Sequence, residues 1–194
     1  MSHNPKMKIS YALLEMPAAE LFIACKGEKV IYASFADIDD NLGCHGSFCE
    51  ANNKMEIGRA GLKKYLEKKK LDGLSLEPDY STVIALVNMI NKHDNPCDSF
   101  ELYGTELQKK VWRAALRVKS GQTVTYAELA KMAGYPNAVR AVANALGANE
   151  ISLLIPCHRV IRSDGKIGGY RWGSEFKKKL LEKEKAPAHE GLFC

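Results

Sequence analysis

Leu153-Leu154-Ile155-Pro156-Cys157-His158-Arg159-Val160-Ile161 sets a thiol beside an imidazole between two apolar runs. The flanks read as buried, so the pair able to do chemistry is carried into the interior. A free cysteine is weakly ionised near neutral pH and its thiolate is the nucleophile, so a reactive Cys157 requires a base or a positive field close by. His158 and Arg159 are candidates for both. Side chains of neighbouring residues on an extended strand point to opposite faces, so the pair needs a bend at Pro156 or Cys157 to cooperate. Taken alone, the dipeptide better fits a small buried thiol with a strand-end histidine. The surrounding chain has to decide.

Upstream, Thr105-Glu106-Leu107-Gln108 and Thr125-Tyr126-Ala127-Glu128 are capping boxes, each opening a helix. Leu107, Val111, Trp112 and Ala115 mark the buried face of the first, which Gly121 ends; Gly134 closes the second. Asn137 is placed to cap a third helix, Ala138 to Leu146, terminated by Gly147. The last two helices, joined by Gly134-Tyr135-Pro136-Asn137, make a helix-turn-helix candidate. Its second helix carries Ala138, Ala141, Ala143 and Ala145, with Arg140 as its one long cation. A helix reading the major groove displays several polar side chains. This one suits either a narrower groove, with Arg140 as a single probe, or a tightly packed core.

Downstream, Asp164-Gly165 between Val160-Ile161 and Lys166-Ile167 is a hairpin signal. Gly168-Gly169-Tyr170-Arg171-Trp172-Gly173 reads as a loop, and Ser174 caps a helix reaching about Lys185. Glu182 and Glu184 face different directions on it, so one of them turns inward. The run Lys177-Lys178-Lys179 reads as a solvated face.

The first hundred residues differ in character. Strands are expected at 9–15, 21–25, 30–35 and 99–103, and helices at 55–70, with Ile57, Ala60, Gly61 and Tyr65 inward, and at 81–92. Cys44, His45 and Cys49 match no standard zinc spacing and lack an evident fourth ligand, so no metal is expected. Residues 1–100 hold 12 Lys and Arg against 14 Asp and Glu, whereas residues 101–194 hold 16 against 9. The half with the Cys-His pair is therefore the basic half, which points to a polyanionic partner, nucleic acid first. The first ten residues are polar and no apolar run is long enough to span a bilayer. The six cysteines follow no framework, so a cytoplasmic chain with reduced thiols and no membrane association is expected.

Ile155-Pro156-Cys157-His158-Arg159-Val160 resembles the active-site signature of the O6-alkylguanine-DNA alkyltransferases. The likeness extends through Val111-Trp112, Thr125-Tyr126, Val139-Arg140-Ala141-Val142 and Gly168-Gly169-Tyr170-Arg171-Trp172-Gly173, and thus covers about residues 99–185. Its flavour is that of the C-terminal domain of bacterial Ada. The resemblance implies an α+β protein in two domains. Residues 1–98 would be the family's variable ribonuclease-H-like domain, and residues 99–194 a mostly helical domain holding the helix-turn-helix and the acceptor cysteine.

By the same resemblance, Cys157 accepts an alkyl group from O6 of guanine, with O4 of thymine left open. His158 acts as its base through a water, Glu184 orients the imidazole and Asn149 braces the turn before the cysteine. Tyr126 donates to guanine N3. Leu146 and Tyr170 are walls of the guanine pocket, backbone groups of Cys157, Val160 and Arg171 line it, and Arg140 replaces the extruded nucleotide in the stack. The implied partner is double-stranded DNA containing O6-alkylguanine, acted on by a monomer with no cofactor and no metal. In a eukaryote the compartment would be the nucleus. Three departures stand out: Leu107 where many members have Phe, Cys25 near a zinc position whose matching His is missing, and Arg171 in place of a small residue, which narrows the pocket. The rival readings are a noncatalytic alkyltransferase-like binder of damaged DNA, a Cys-His acyl hydrolase and a plain helix-turn-helix regulator.

Overall fold

The computed structural model describes residues 8–16, 19–36, 51–92 and 96–185, and is a mixed α+β protein with six α-helices among them. The chain divides into two compact units, the principal break falling between Glu101 and Leu102. The Cys44, His45 and Cys49 group lies outside the described residues. Among the described residues no helix is long and apolar enough to cross a membrane.

The first unit is a four-stranded sheet with strand order β3-β2-β1-β4. Strands β1 (Lys8–Met16), β2 (Ala19–Lys26) and β3 (Lys29–Phe35) fall where alternation and β-branched content place them. The β2–β3 pair is antiparallel, with a register irregularity at Ala24/Cys25, and turns through Gly27 at φ 58°. Helix α1 runs over Ala51–Lys68, four residues earlier than expected at its start. Its inward residues are Gly58, Leu62, Tyr65 and Leu66, while Ala60 is exposed, so the buried face is rotated from the expected one. The cause is close approach to the sheet: a Cβ on Gly58 would collide with the Phe22 ring, and one on Gly61 would lie 2.5 Å from the Tyr32 hydroxyl. Helix α2 (Tyr80–Lys92) buries Val83, Leu86, Val87 and Ile90.

Two strand expectations are corrected. Strand β4 (Ser75–Pro78) was unforeseen and pairs in parallel with β1, Lys8 opposite Ser75, at the sheet edge. Its sequence lacks apolar alternation and ends in proline, which an edge strand tolerates. Conversely, 99–103 forms no strand. Pro96–Ser99 is a 3-10 turn, and Phe100 makes a single bridge to Val30.

The second unit opens on α3 (Glu106–Ala115), whose Thr105 and Gln108 complete the capping box in both directions. It stops at Ala115, short of Gly121, in overlapping turns through Leu116–Val118. The pair β5 (Val124–Thr125) and β6 (Val160–Ile161) is parallel. Hence β6 pairs upstream rather than into a hairpin; Asp164-Gly165 makes only a tight turn, closed by Arg162 N–H on the Lys166 carbonyl at 2.9 Å. Helix α4 (Tyr126–Met132) has its full capping box at Thr125 and Glu128, and Gly134 follows it at φ 81°. Helix α5 (Val139–Gly147) is preceded by Ala138 with no side-chain cap, so Asn137 does not serve as one. It buries Val142, Ala145 and Leu146 and exposes Arg140, Ala141 and Asn144, which rules out an all-round core helix. The Trp112 indole N–H donates to the Ala145 carbonyl at 2.9 Å and ties α3 to α5. Helix α6 (Ser174–Lys185) closes the unit.

Candidate active site

Cys157 opens a 3-10 turn, Cys157–Arg159, entered through Pro156 at φ −79° and ψ 60°. The bend demanded by the sequence is therefore present at the proline. The approach is tight: Leu153 adopts φ 63°, a left-handed conformation that costs a branched residue about 1–3 kcal/mol. Asn149, buried, holds that approach in place. Its amide donates to the carbonyls of Ile151 (3.2 Å) and Ile155 (3.3 Å), its Oδ1 accepts the Ile151 N–H (2.9 Å), and the same Nδ2 lies 3.6 Å from Cys157 Sγ.

His158 is fully buried, with Nε2 2.9 Å from Glu184 Oε1 on the last turn of α6. Arg159 grips the same carboxylate, Nε reaching both oxygens at 3.1 Å and Nη2 reaching Oε1 at 2.7 Å, while Nη1 donates to the Val118 carbonyl at 2.6 Å. A carboxylate can only accept, so His158 Nε2 carries the hydrogen and Nδ1 keeps its lone pair. Nδ1 has no partner among the described residues. Burial lowers the His158 pKa despite the opposing pull of Glu184, and keeps the imidazole neutral. For Glu184, burial pushes the pKa up, but the hydrogen bonds and charges of His158 and Arg159 together outweigh it and hold it below the usual value. A neutral base held by an ionised carboxylate is the result.

The thiol itself is not ionised at rest. Burial raises its pKa, against the Asn149 amide and the cation of Lys177. Lys177 corrects the expected solvated face: it is 1% exposed, and its Nζ donates to the Val160 carbonyl at 2.6 Å. Burial drops its own pKa to about 8. Lys178 and Lys179 are exposed as expected. The clue lay in spacing, since Lys177 stands three and four residues before Leu180 and Leu181 and seven before Glu184, on the inward stripe of α6.

A cavity of about 220 Å³ lies over the thiol, lined by Tyr126, Leu146, Asn149, Cys157, Tyr170 and Arg171 among others. That is below the roughly 300–1,000 Å³ of sites for drug-sized ligands and suits one flat base. Burial, then the nearby Cys157, raises the pKa of Tyr126, so its phenol stays a donor at neutral pH. Burial, then the Cys157 sulfur that its hydroxyl faces, raises Tyr170 well above its usual value. Its ring packs on Trp172 at 5.3 Å. Of the sequence-predicted residues, Val160 does not line the cavity, and its carbonyl is engaged by Lys177. Arg140 projects from the exposed side of α5, one turn before the lining residue Ala143. Lys177 and Trp172 complete the site and were not assigned from sequence, while Arg159, a candidate positive field for the thiol, instead clamps Glu184.

Residues 106–186 match the family described as 6-O-methylguanine DNA methyltransferase, DNA binding domain. The chain is 52% identical over 85 residues to a methylated-DNA--protein-cysteine methyltransferase of Kluyveromyces lactis, covering 44% of this chain and 45% of that protein. It is 44% identical over 100 residues to the Escherichia coli bifunctional transcriptional activator/DNA repair enzyme Ada, covering 51% and 28%. These matches span less than half the length of either relative. Among solved structures, Mycobacterium tuberculosis OGT in complex with DNA is similar over 92% of this chain and 96% of that one, with a TM-score of 0.61 and 28% identity.

Proposed function

We propose that this chain, whose residues 106–186 match the family described as 6-O-methylguanine DNA methyltransferase, DNA binding domain, repairs DNA by moving an alkyl group from O6 of guanine to its own Cys157. The observation that carries the reading is the buried His158–Glu184 pair next to the half-buried Cys157, which lines a base-sized cavity. In this reading double-stranded DNA binds the basic C-terminal half, residues 99–194, with α4 and α5 as the helix-turn-helix. Residues 1–98 form a ribonuclease-H-like companion domain. The protein acts as a monomer, wherever the cell keeps its genome.

A base inside a duplex cannot reach a buried thiol, so it is turned out, at a cost of a few kcal/mol. The small residues of α5 allow close approach to the minor groove, and Arg140 fills the vacated stack. The base enters between Tyr126, Leu146 and Tyr170, with backbone groups at Cys157 and Arg171 along its edge. His158 Nδ1 takes the thiol proton through one water, since no hydrogen bond joins Sγ to the imidazole directly. Glu184 holds the ring and stabilises the imidazolium, as in a nucleophile–base–orienter triad. Sulfur then bonds to the alkyl carbon as the carbon–O6 bond breaks, and the negative charge left on guanine is stabilised by a hydrogen bond that the Tyr126 phenol donates to N3. The thioether product does not hydrolyse, so each molecule works once.

Incubation with duplex DNA bearing O6-methylguanine is expected to add one methyl mass at Cys157, levelling off at one equivalent per protein. Repeated turnover, or binding with no gain in mass, defeats the reading.

A further inference from the structure

We propose that the ion pair between Glu150 and Arg171 latches the Arg171 side chain into the cavity wall and so sets the size of the alkyl group admitted. The proposal rests on reading the cavity as the alkylated-base site. Arg171 Nη1 lies 2.8 Å from Glu150 Oε2, and the Arg171 guanidinium sits 5.5 Å above the Trp172 ring. Arg171 lines the cavity, whereas Glu150 stands outside its lining. Glu150 directly follows Asn149, whose side chain makes three backbone hydrogen bonds, so its carboxylate is mounted on a fixed post. Arg171 belongs to the loop 168–173, where Gly168 and Gly173 hold positive φ of 76° and 89° and a Cβ on Gly169 would meet nothing within 4 Å. Buried Trp172 pins the loop next to Arg171, so the ion pair fixes the Arg171 side chain rather than the loop itself.

The side chains of the pair are 36% and 17% exposed for Arg171 and Glu150. A pair of that exposure biases an open–closed balance by up to about fivefold and weakens with salt. With the latch closed, the cavity of about 220 Å³ admits a methylated base freely, while a branched or aromatic group displaces the Arg171 side chain first. Glu150 is thus a specificity-determining residue that touches neither the thiol nor the base.

The test uses the full chain and two free bases, O6-methylguanine and O6-benzylguanine, with Cys157 alkylation followed by intact mass. Free bases keep the salt response separate from that of DNA binding. Glu150→Gln should leave the methyl rate within about twofold and raise the benzyl rate about three- to fivefold. Raising salt to about 0.5 M should move the unaltered protein's benzyl-to-methyl ratio toward that of Glu150→Gln and leave the variant's ratio where it was. Reversing both charges, Glu150→Arg with Arg171→Glu, should bring the ratio back toward its original value. A ratio unmoved by salt in the unaltered protein, or a variant that changes both rates alike, overturns the latch while the function stands. Failure of the unaltered protein to take a methyl group from a methylated duplex overturns the function beneath it.

Discussion

Two thiols, Cys25 buried in the first unit and Cys157 half-buried on a cavity in the second, separate enclosure from reactivity. Cys25, in the sheet, donates to the Ser10 carbonyl at 3.6 Å, and burial followed by the charge of Asp79 pushes its pKa to about 11. Cys157 is raised by burial as well, but an amide and a buried cation oppose the rise, and a neutral histidine follows it in the chain. Only the second has somewhere to send its proton and an open cavity to receive an electrophile.

Exchanging the thiols is the sharpest way to break that contrast. Cys157→Ala should abolish alkyl transfer altogether while duplex binding persists, and Cys25→Ala should leave transfer unchanged, both read by mass after incubation with methylated duplex. Transfer surviving in Cys157→Ala, or lost in Cys25→Ala, would mean that the wrong sulfur has been identified.

Glu184→Gln tests the proton's destination. Loss of the base's anchor should slow transfer about 10²- to 10³-fold, within the range of general-base contributions. The pH profile carries the sign. Glu184 pulls the His158 pKa up against burial, so its neutralisation lets that pKa fall further, and the acid limb of the rate should move to lower pH as the plateau drops. Stability shifts too. Glu184 is held below its unfolded value, so its contribution is complete above about pH 4.5 and fades as pH falls through the folded pKa; the variant should lack that acid-side slope in urea titrations.

What the sequence revealed follows the range of the forces involved. The boxes at Thr105 and Thr125 close within four residues and formed as read. The bend at Pro156 and the inward turn of a single glutamate on α6 were equally local deductions. Strand β4 exists through its pairing with β1, more than sixty residues away, and its own composition does not announce it. The glycines of α1 acquire meaning only against Phe22 and Tyr32. Arg159 stood beside the cysteine in plain view, yet its role as the clamp on Glu184 depends on a helix 25 residues later. The same holds for Lys177, which was grouped with its solvated neighbours although the periodicity of α6 set it apart.

Lys177→Met sharpens the comparison more gently. With the cation gone, the Cys157 thiol loses a neighbour that favours its thiolate, so the alkaline rise in reaction with iodoacetamide should shift to higher pH, moving Cys157 toward the behaviour of Cys25. Burial brings the folded pKa of Lys177 to about 8, below its usual value of 10.5. A lysine depressed on folding penalises the native state at low pH and ceases to do so as pH rises through the folded value. Stability of the unaltered protein should therefore climb between about pH 8 and 10.5, and Lys177→Met should flatten that climb in urea unfolding. An unchanged slope would place the ammonium outside the interior.

The smallest effect belongs to the first unit. Asp79 caps α2, accepting the Thr82 N–H at 3.0 Å and the Ser81 hydroxyl at 2.9 Å, and these bonds hold its pKa at about 2. Its contribution is thus present above about pH 4 and disappears as pH falls toward 2. Asp79→Asn keeps a capping oxygen but no charge, so it should lower the thermal midpoint slightly at pH 7 and remove the loss seen on acidification. Because Asp79 also raises the Cys25 pKa, the same substitution should ease ionisation of that thiol while leaving the rate at Cys157 untouched. A change at Cys157 would show that the two thiols are coupled, and the contrast between them would have to be drawn across the whole chain rather than around each sulfur.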